Sequence, residues 1–317
     1  MSRSRKIAFL IFVLILCIIN VACSLNEKKE NDLEDGPDNY SIDNREELYT
    51  VVDDFDRVIK LDEAPKRIIS LAPSSTEIIC ALGLADNIVG VTIFDDYPEK
   101  VIEIEKVEDL SGIDLDRIIE LNPDLVIDYG SGNEEENLKL EEAGIKYAGF
   151  NPKFIDDILD TIDTIGKLTG KVAEAKKLIN TMNTKKDEVL SRIKDIEPKR
   201  VFYEVWHEPL MTAGPGTLMD ELIILAGGDN IARDIEEEYP QFDLEQLTLR
   251  NPQVYLALED MPEKTAESIA LRPGYENIDA IINGNVYLLN ENIVLRPGPR
   301  IVDALELIAK AIHPEEF

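Results

Sequence analysis

Residues Gly112–Val126, which read GIDLDRIIELNPDLV, recur in altered form as Gln241–Tyr255, which read QFDLEQLTLRNPQVY. Both copies place an aspartate before an apolar stretch, and both contain an Asn-Pro pair near the end. A second match precedes each copy, Gly83–Ile88 (GLADNI) against Ala226–Ile231 (AGGDNI), and a Tyr-Pro pair lies between the matches in each half. Matches that keep the same order along the chain are typical of an internal repeat, so the sequence predicts two related lobes.

Each half of the repeat reads as a strand, a loop, a helix and a further strand. In the first half Arg67–Leu71 is a short apolar strand, and Ser74 stands three residues before Glu77, which predicts a capping box at the start of the next helix. In the second half Arg200–Trp206 is the equivalent strand. Alternating strands and helices predict an α/β fold of two pseudo-symmetric lobes, each with a mainly parallel sheet.

A long helical stretch separates the two halves. Apolar residues recur every three or four positions from Val172 to Ile196, interrupted only by Lys186, and Pro198 follows. This spacing predicts one helix from about residue 171 to 197, on the order of 40 Å long. We expect this helix to join the lobes as a rigid strut. The predicted divisions are a lipoprotein signal peptide at 1–23, a flexible acidic tether at 24–48, a first lobe at 49–152, a helical segment at 153–198 and a second lobe at 199–317.

The first 23 residues have the pattern of an export signal. Three basic residues precede an unbroken apolar run from Ile7 to Ile19, which is too short to span a bilayer comfortably. The run leads to Asn-Val-Ala-Cys at positions 20–23, which resembles the lipobox of bacterial lipoproteins except that Asn20 replaces the usual aliphatic residue. The resemblance implies a lipid on Cys23 and an extracytoplasmic protein anchored to the bacterial cell membrane. A plain secretory signal and an uncleaved anchor are the alternatives.

The composition disfavours several classes of function. The chain carries 33 Lys and Arg against 64 Asp and Glu, a net charge of −31, and so acidic a surface repels nucleic acid. Two histidines and three cysteines disfavour a zinc site, and Cys80 lies in an apolar run that predicts a buried thiol. The sequence contains neither the Gly-x-Ser-x-Gly elbow of hydrolases nor a Walker loop. We therefore predict no enzymatic activity, metal or resident cofactor; a membrane-anchored hydrolase and a structural surface lipoprotein are the distant alternatives.

From about residue 49 to 317 the chain resembles the helical-backbone (class III) substrate-binding proteins of ABC importers, which serve vitamin B12, ferric siderophores and haem. Among these it is most similar to the vitamin B12-binding proteins, although those often carry tryptophan at the positions of Tyr129 and Ile293. The matching motifs are Tyr49–Glu77, Asp96–Pro98, Tyr129–Asn133, Ala226–Ile231 and Pro299–Ile301. The resemblance implies a monomeric protein that carries a corrinoid to its permease, with a ferric siderophore or haem as the alternative ligand.

Ligands of open α/β sheets bind beyond the carboxyl ends of the strands. The side chains near those ends are aromatic with a few polar groups, as a large organic ligand requires. The predicted ligand-binding residues are Ser74, Ser75, Tyr97, Tyr129, Trp206, His207, Tyr239 and Arg296. We expect the rings to hold the ligand from opposite lobes and Arg296 to meet its phosphate.

Several of these residues also allow a structural explanation. Ser74 can serve as a helix cap, Tyr97 and Tyr239 can pack loops, and His207 can form a loop hydrogen bond. A cation at a helix N-terminus is unfavourable, so Arg300 is expected to have an anionic partner, either Asp303 or an acidic group of the ligand.

The resemblance also implies one exposed glutamate on each lobe that pairs with arginines of the permease. Glu135 follows a predicted strand of the first lobe and is the candidate there. The repeat aligns Glu135 with Lys264, so the adjacent Glu263 is the candidate in the second lobe.

Overall fold

The first lobe contains a hairpin and a six-stranded sheet. The computed structural model describes residues 49–109 and 112–317. The hairpin pairs β1 (Thr50–Val52) with β2 (Val58–Lys60) in antiparallel fashion. The sheet has the order β6-β5-β4-β3-β7-β8, and only the pair of β5 with β6 is antiparallel. Its strands are β3 (Ile68–Ser70), β4 (Ile88–Thr92), β5 (Lys106–Asp109), β6 (Gly112–Ile113), β7 (Leu125–Tyr129) and β8 (Lys146–Phe150).

The second lobe contains a five-stranded sheet built around one long strand. Its members are β9 (Lys199–Trp206), β10 (Met211–Thr212), β11 (Gly228–Asn230), β12 (Val254–Leu258) and β13 (Val286–Leu289). β9 runs parallel to β11 and β12 and antiparallel to the short β10, and β13 continues the sheet beside β12.

Eleven α-helices are found among the described residues. They are α1 (Pro73–Ala81), α2 (Leu115–Glu120), α3 (Glu134–Glu142), α4 (Ile155–Leu168), α5 (Val172–Arg192), α6 (Leu218–Leu225), α7 (Leu244–Arg250), α8 (Ala266–Ala270), α9 (Asp279–Ile282), α10 (Glu291–Val294) and α11 (Ile301–Ile312).

The two sheets share one topology, which confirms the predicted pair of related lobes. The order β4-β3-β7-β8 in the first sheet corresponds to β11-β9-β12-β13 in the second. The repeat is also kept in atomic detail. Asp114 and Asp243 cap α2 and α7, because the side chain of each accepts a hydrogen bond from the backbone N–H of the residue three positions later. Asn122 and Asn251 follow these helices with the same left-handed φ of 45°, a conformation that asparagine tolerates better than most residues.

The capping box predicted at Ser74 is wrong. α1 begins at Pro73 with Ala72 as its N-cap, and no side chain caps it. Proline suits the first helical turn because its fixed φ is already helical and its missing N–H needs no partner there. Ser74 therefore lies inside the first turn, and the Glu77 side chain bonds instead to arginines of the second lobe.

The helical segment is a pair of helices, and the second one is shorter than predicted. Gly170 separates α4 from α5 with a φ of +71°. α5 has 21 residues, about 31 Å, and ends at Arg192. Asp195 then adopts a left-handed φ of 66°, so the chain has left the helix before Pro198 is reached. α5 packs against both α4 and α11, so it connects to the second lobe through a helix–helix contact.

One hydrophobic core runs through both lobes and the helical segment. It contains Ile79 and Ile127 of the first lobe, Ile162 of α4, and Leu256 and Leu305 of the second lobe. Two smaller clusters cover the opposite faces of the sheets, one around Val126 and one around Phe202. Because both faces of each sheet are covered, the strands are buried on both sides, as parallel sheets require.

Candidate ligand-binding site

A cavity of about 410 Å³ lies at the carboxyl ends of strands from both sheets. Tyr129 is the last residue of β7 and Asn151 follows β8, whereas Val205 and Leu258 stand at the ends of β9 and β12. The remaining lining residues are Pro152, Lys153, Tyr203, Ala213, Gly216, Thr217, Leu218, Met219, Glu238, Tyr239, Val294, Leu295 and Pro297. The cavity therefore lies where the sequence predicts ligand binding in this fold.

Three tyrosines supply the aromatic surface of this cavity. Tyr129 of the first lobe is 46% exposed, Tyr239 of the second lobe is 54% exposed, and Tyr203 is buried. Burial raises the pKa of all three phenols, and the charges of Tyr239 and Glu238 add to the rise at Tyr129 and Tyr239 respectively. At neutral pH these phenols are protonated, so each can donate a hydrogen bond as well as stack.

Lys153 and Glu238 form an ion pair beside the tyrosines. Their charged groups lie 3.7 Å apart, and both side chains are more than half exposed. Glu238 also flanks Tyr239 in the sequence, so the wall of the cavity in the second lobe combines an aromatic ring with a carboxylate. Exposed pairs of this kind contribute little to stability, so the ion pair can open to admit a ligand at low cost.

The alternation of β9 divides its side chains between two pockets. Tyr203 and Val205 line the cavity, whereas Glu204 and Trp206 line a second pocket of about 660 Å³. Successive residues of a strand point to opposite faces, so one strand cannot send both Val205 and Trp206 into the same cavity. The expectation that Trp206 lies with Tyr129 and Tyr239 is therefore not met.

The second pocket has an aromatic wall and a paired charge beneath it. The Trp206 indole N–H donates to the Glu208 carbonyl at 2.8 Å, and His207 follows Trp206 at the pocket edge. Glu204 is fully buried and bonds to Arg272 and to the Tyr255 hydroxyl, with the Lys264 ammonium 3.2 Å away.

The other predicted ligand-binding residues lie at a contact between the lobes and do not line the cavity. Ser74 and Ser75 are buried in α1. Arg296 bonds to Glu77 at 3.3 Å and to Asp96 at 2.6 Å, so it already has two acidic partners. The Tyr97 ring lies 4.2 Å from the guanidinium carbon of Arg300.

The anionic partner of Arg300 is Glu77. Two hydrogen bonds of 2.8 and 2.6 Å join the guanidinium to both carboxylate oxygens. Asp303, which the sequence allows as a partner in the same helix, bonds instead to Lys185 of α5. The sequence could not indicate the true partner because Glu77 lies more than two hundred residues away from Arg300.

The two candidate docking glutamates are both exposed. Glu135 lies in the first turn of α3 and pairs with Lys139 at 2.8 Å. Glu263 stands at the edge of the second pocket, and its neighbour Lys264 points inward to Glu204.

The described residues contain neither a cluster of metal ligands nor a membrane-spanning helix. In residues 49–109 and 112–317, no three His, Cys, Asp or Glu side chains come together in a group able to hold a metal ion. None of the helices in those ranges is long and apolar enough to cross a bilayer. Cys80 is half-buried against the core, and burial raises the pKa of its thiol to about 11.

Two lobes of one topology, joined by helices, with a cavity at their strand ends, define a solute-binding protein. Residues 68–293 match the periplasmic binding protein family, and the chain belongs to that family. An uncharacterized ABC transporter substrate-binding lipoprotein of Bacillus subtilis is 32% identical over 84% of this chain and 86% of its own length. A vitamin B12-binding protein of Vibrio cholerae is 32% identical over 77% of this chain and 87% of its own length.

Solved structures show the same fold. The vitamin B12-binding protein of Vibrio cholerae superimposes with a TM-score of 0.67 at 31% identity, over 79% of this chain and 97% of its own. A possible iron-binding protein of Staphylococcus epidermidis has a TM-score of 0.71 at 29% identity, over 79% of this chain and all of its own. A haem-binding protein of Roseiflexus has a TM-score of 0.71 at 25% identity, over 80% of this chain and 99% of its own.

Proposed function

We propose that this protein binds a corrinoid between its lobes and delivers it to the permease of an ABC importer. The observation that carries the proposal is the tyrosine-lined cavity at the strand ends of both lobes, in a chain that is 32% identical to a vitamin B12-binding protein. A ferric siderophore or haem is the competing ligand, since solved relatives are named for iron and haem.

The chemistry of the cavity suits a corrinoid. Its macrocycle offers a broad apolar face to Tyr129 and Tyr239, and its peripheral amides can accept hydrogen bonds from protonated phenols. A corrinoid is larger than a cavity of about 410 Å³, so part of it would remain outside and within reach of the permease.

The phenol groups of the cavity are less suited to holding a ferric ion. Tyrosine binds Fe³⁺ as a phenolate, and burial raises the pKa of Tyr129, Tyr203 and Tyr239, which opposes loss of the proton. No histidine is among the residues that line the cavity in the described part of the chain. These two features favour a corrinoid over haem.

Calorimetric titration of the purified full chain with cobalamin, cobinamide, haem and a ferric hydroxamate siderophore tests the proposal. We expect saturable heat with the two corrinoids and none with the iron compounds. A sharp isotherm with haem or the siderophore alone would replace the corrinoid by that ligand, and an absence of heat with all four would reject the proposed function.

The proposal includes a lipid anchor at Cys23, which lies outside the described residues. Two or more acyl chains hold a protein at a membrane, because each buried methylene contributes about 0.8 kcal/mol. Labelled fatty acid should be incorporated by the natural chain and by Cys17→Ser, but not by Cys23→Ser. Labelling of the Cys23→Ser variant would reject the anchor at this position.

A further inference from the structure

The residues 292–300, named here the junction segment, have two roles in the structure. Val294, Leu295 and Pro297 line the cavity. Asn292, Arg296 and Arg300 of the same segment bond to the first lobe. One stretch of backbone therefore forms a wall of the cavity and a contact between the lobes.

The contact on the first lobe is centred on Glu77. Its side chain is 2% exposed and bonds to Arg296 and Arg300, whose side chains are 14% and 20% exposed. Asp96 adds bonds to Arg296 and Asn292, and the Phe94 carbonyl accepts from Arg296 at 3.3 Å. Two cations of the second lobe thus converge on one buried anion of the first.

Close packing of the backbone brings the two lobes together at the same place. A Cβ added at Gly298 would lie 3.4 Å from the Ser74 carbonyl oxygen and 3.8 Å from a Glu77 carboxylate oxygen. Ser74, Ser75 and Glu77 are all buried in α1. The serines predicted to contact ligand are instead part of this junction between α1 and the junction segment.

We propose that Glu77 is a positioning residue that holds the junction segment against the first lobe and so sets the width of the ligand cavity. The expected effect of Glu77 on ligand binding rests on the proposed function. Removing the carboxylate would leave two guanidinium groups buried without their shared anion, which is unfavourable. Water can relieve that cost only if α1 and the junction segment move apart, and they belong to different lobes.

A matched control exists within the second lobe. Glu204 is fully buried and also has two cationic partners, Arg272 and Lys264, at 13% and 10% exposure. All three residues belong to the second lobe, so loss of this carboxylate cannot be relieved by movement between lobes. Glu204→Gln should therefore lower thermal stability as Glu77→Gln does, without widening the cavity.

The test measures lobe separation without ligand and then corrinoid dissociation. Paramagnetic labels are attached to full chains carrying Lys100→Cys, on the first lobe, and Glu276→Cys, on the second, in a background where Cys17, Cys23 and Cys80 are all replaced by Ser. We expect Glu77→Gln to lengthen or broaden the label distance and to raise the cobalamin dissociation rate about tenfold or more. Glu204→Gln should change neither quantity.

Two further variants keep the proposal testable if Glu77→Gln folds poorly. Asp96→Asn removes only the half-exposed partner of Arg296 and should give smaller changes in the same direction. Glu77→Asp keeps the charge and should restore part of the natural distance and dissociation rate. Equal distances and rates in Glu77→Gln, Glu204→Gln and the natural chain would overturn the proposal. The distance measurement needs no ligand, so it tests the role of Glu77 at the junction segment even if the proposed function is wrong.

Discussion

At the scale of single residues, the cavity depends on phenols that come from both lobes. Tyr129 and Tyr239 are each about half exposed, so a ligand can cover them, and each buried ring contributes on the order of 1–2 kcal/mol through area burial and stacking. Tyr203 lies deeper and shapes the cavity floor without offering a free face.

Tyr239→Ala should weaken cobalamin binding about tenfold, which is 1.4 kcal/mol, because a ring of the cavity wall is lost. Trp206→Ala is the matched comparison, since Trp206 is similarly exposed (48% against 54% for Tyr239) but lines the other pocket. Calorimetric titration of both variants with cobalamin shows which of the two pockets holds the ligand. A tenfold loss in Trp206→Ala with no loss in Tyr239→Ala would place the ligand in the second pocket.

Single residues also show what sequence patterns can and cannot predict. Tyr129 can be predicted because it stands at the end of a recognisable strand, and Tyr239 because it precedes Pro240 in a loop. Tyr203 was missed because it lies inside β9, where Phe202 and Tyr203 are both buried and the pattern does not indicate which face meets the cavity. The sequence does not predict the partners of Arg296 and Arg300, because these partners lie in the other lobe. No local sequence pattern indicates contacts between residues so far apart in the chain.

At the scale of elements, the repeat predicts the strands of both lobes, whereas local backbone geometry sets the helix ends. α1 starts at Pro73, earlier than the capping pattern indicates, and α5 ends at Arg192, before the left-handed Asp195 and before Pro198. Apolar periodicity continues to Ile196, so it could not reveal that the helix stops at Arg192. Such ends depend on single φ angles, which hydrophobic spacing does not encode.

The contact between α5 and α11 should weaken in acid. Hydrogen bonds from Lys185 and Lys310 lower the pKa of Glu306 to about 2, against about 4.3 in an unfolded chain. A lowered folded pKa stabilises the protein fully above the unfolded pKa, and that stability is lost as the pH falls toward 2.

Glu306→Gln should therefore lower the free energy of unfolding by about 1 kcal/mol at pH 7, and the difference should shrink between about pH 4.5 and 2. Thermal unfolding across this pH range checks the expectation. Glu245→Gln, which changes an exposed glutamate of α7, controls for the loss of one charge. A Glu306 effect that stays constant down to pH 2 would contradict the assigned pKa.

At the scale of the whole molecule, the shared core and the α4–α5 pair restrict movement between lobes. Small-angle scattering of the full chain should show the same radius of gyration with and without cobalamin, because closure would disturb the core that both lobes share. The large compaction typical of flexibly hinged binding proteins would contradict a rigid connection.

Docking to the permease is a second expectation at this scale. Replacing both Glu135 and Glu263 by Ala should reduce cellular uptake severalfold and leave cobalamin affinity unchanged, since neither residue lines the cavity. Glu142 and Glu276, exposed glutamates elsewhere on the two lobes, provide a control pair. Unchanged uptake in the Glu135 and Glu263 variant, or equal loss in the control, would remove both assignments.

The core contacts of α11 bear on how the molecule unfolds. This helix, Ile301–Ile312, contributes eight side chains to the core that both lobes share, and it packs against α5 and α6. Without these side chains, apolar surface of both lobes would be exposed at once. Because neither lobe keeps a complete core alone, we expect the two lobes to unfold together in one cooperative transition rather than one after the other.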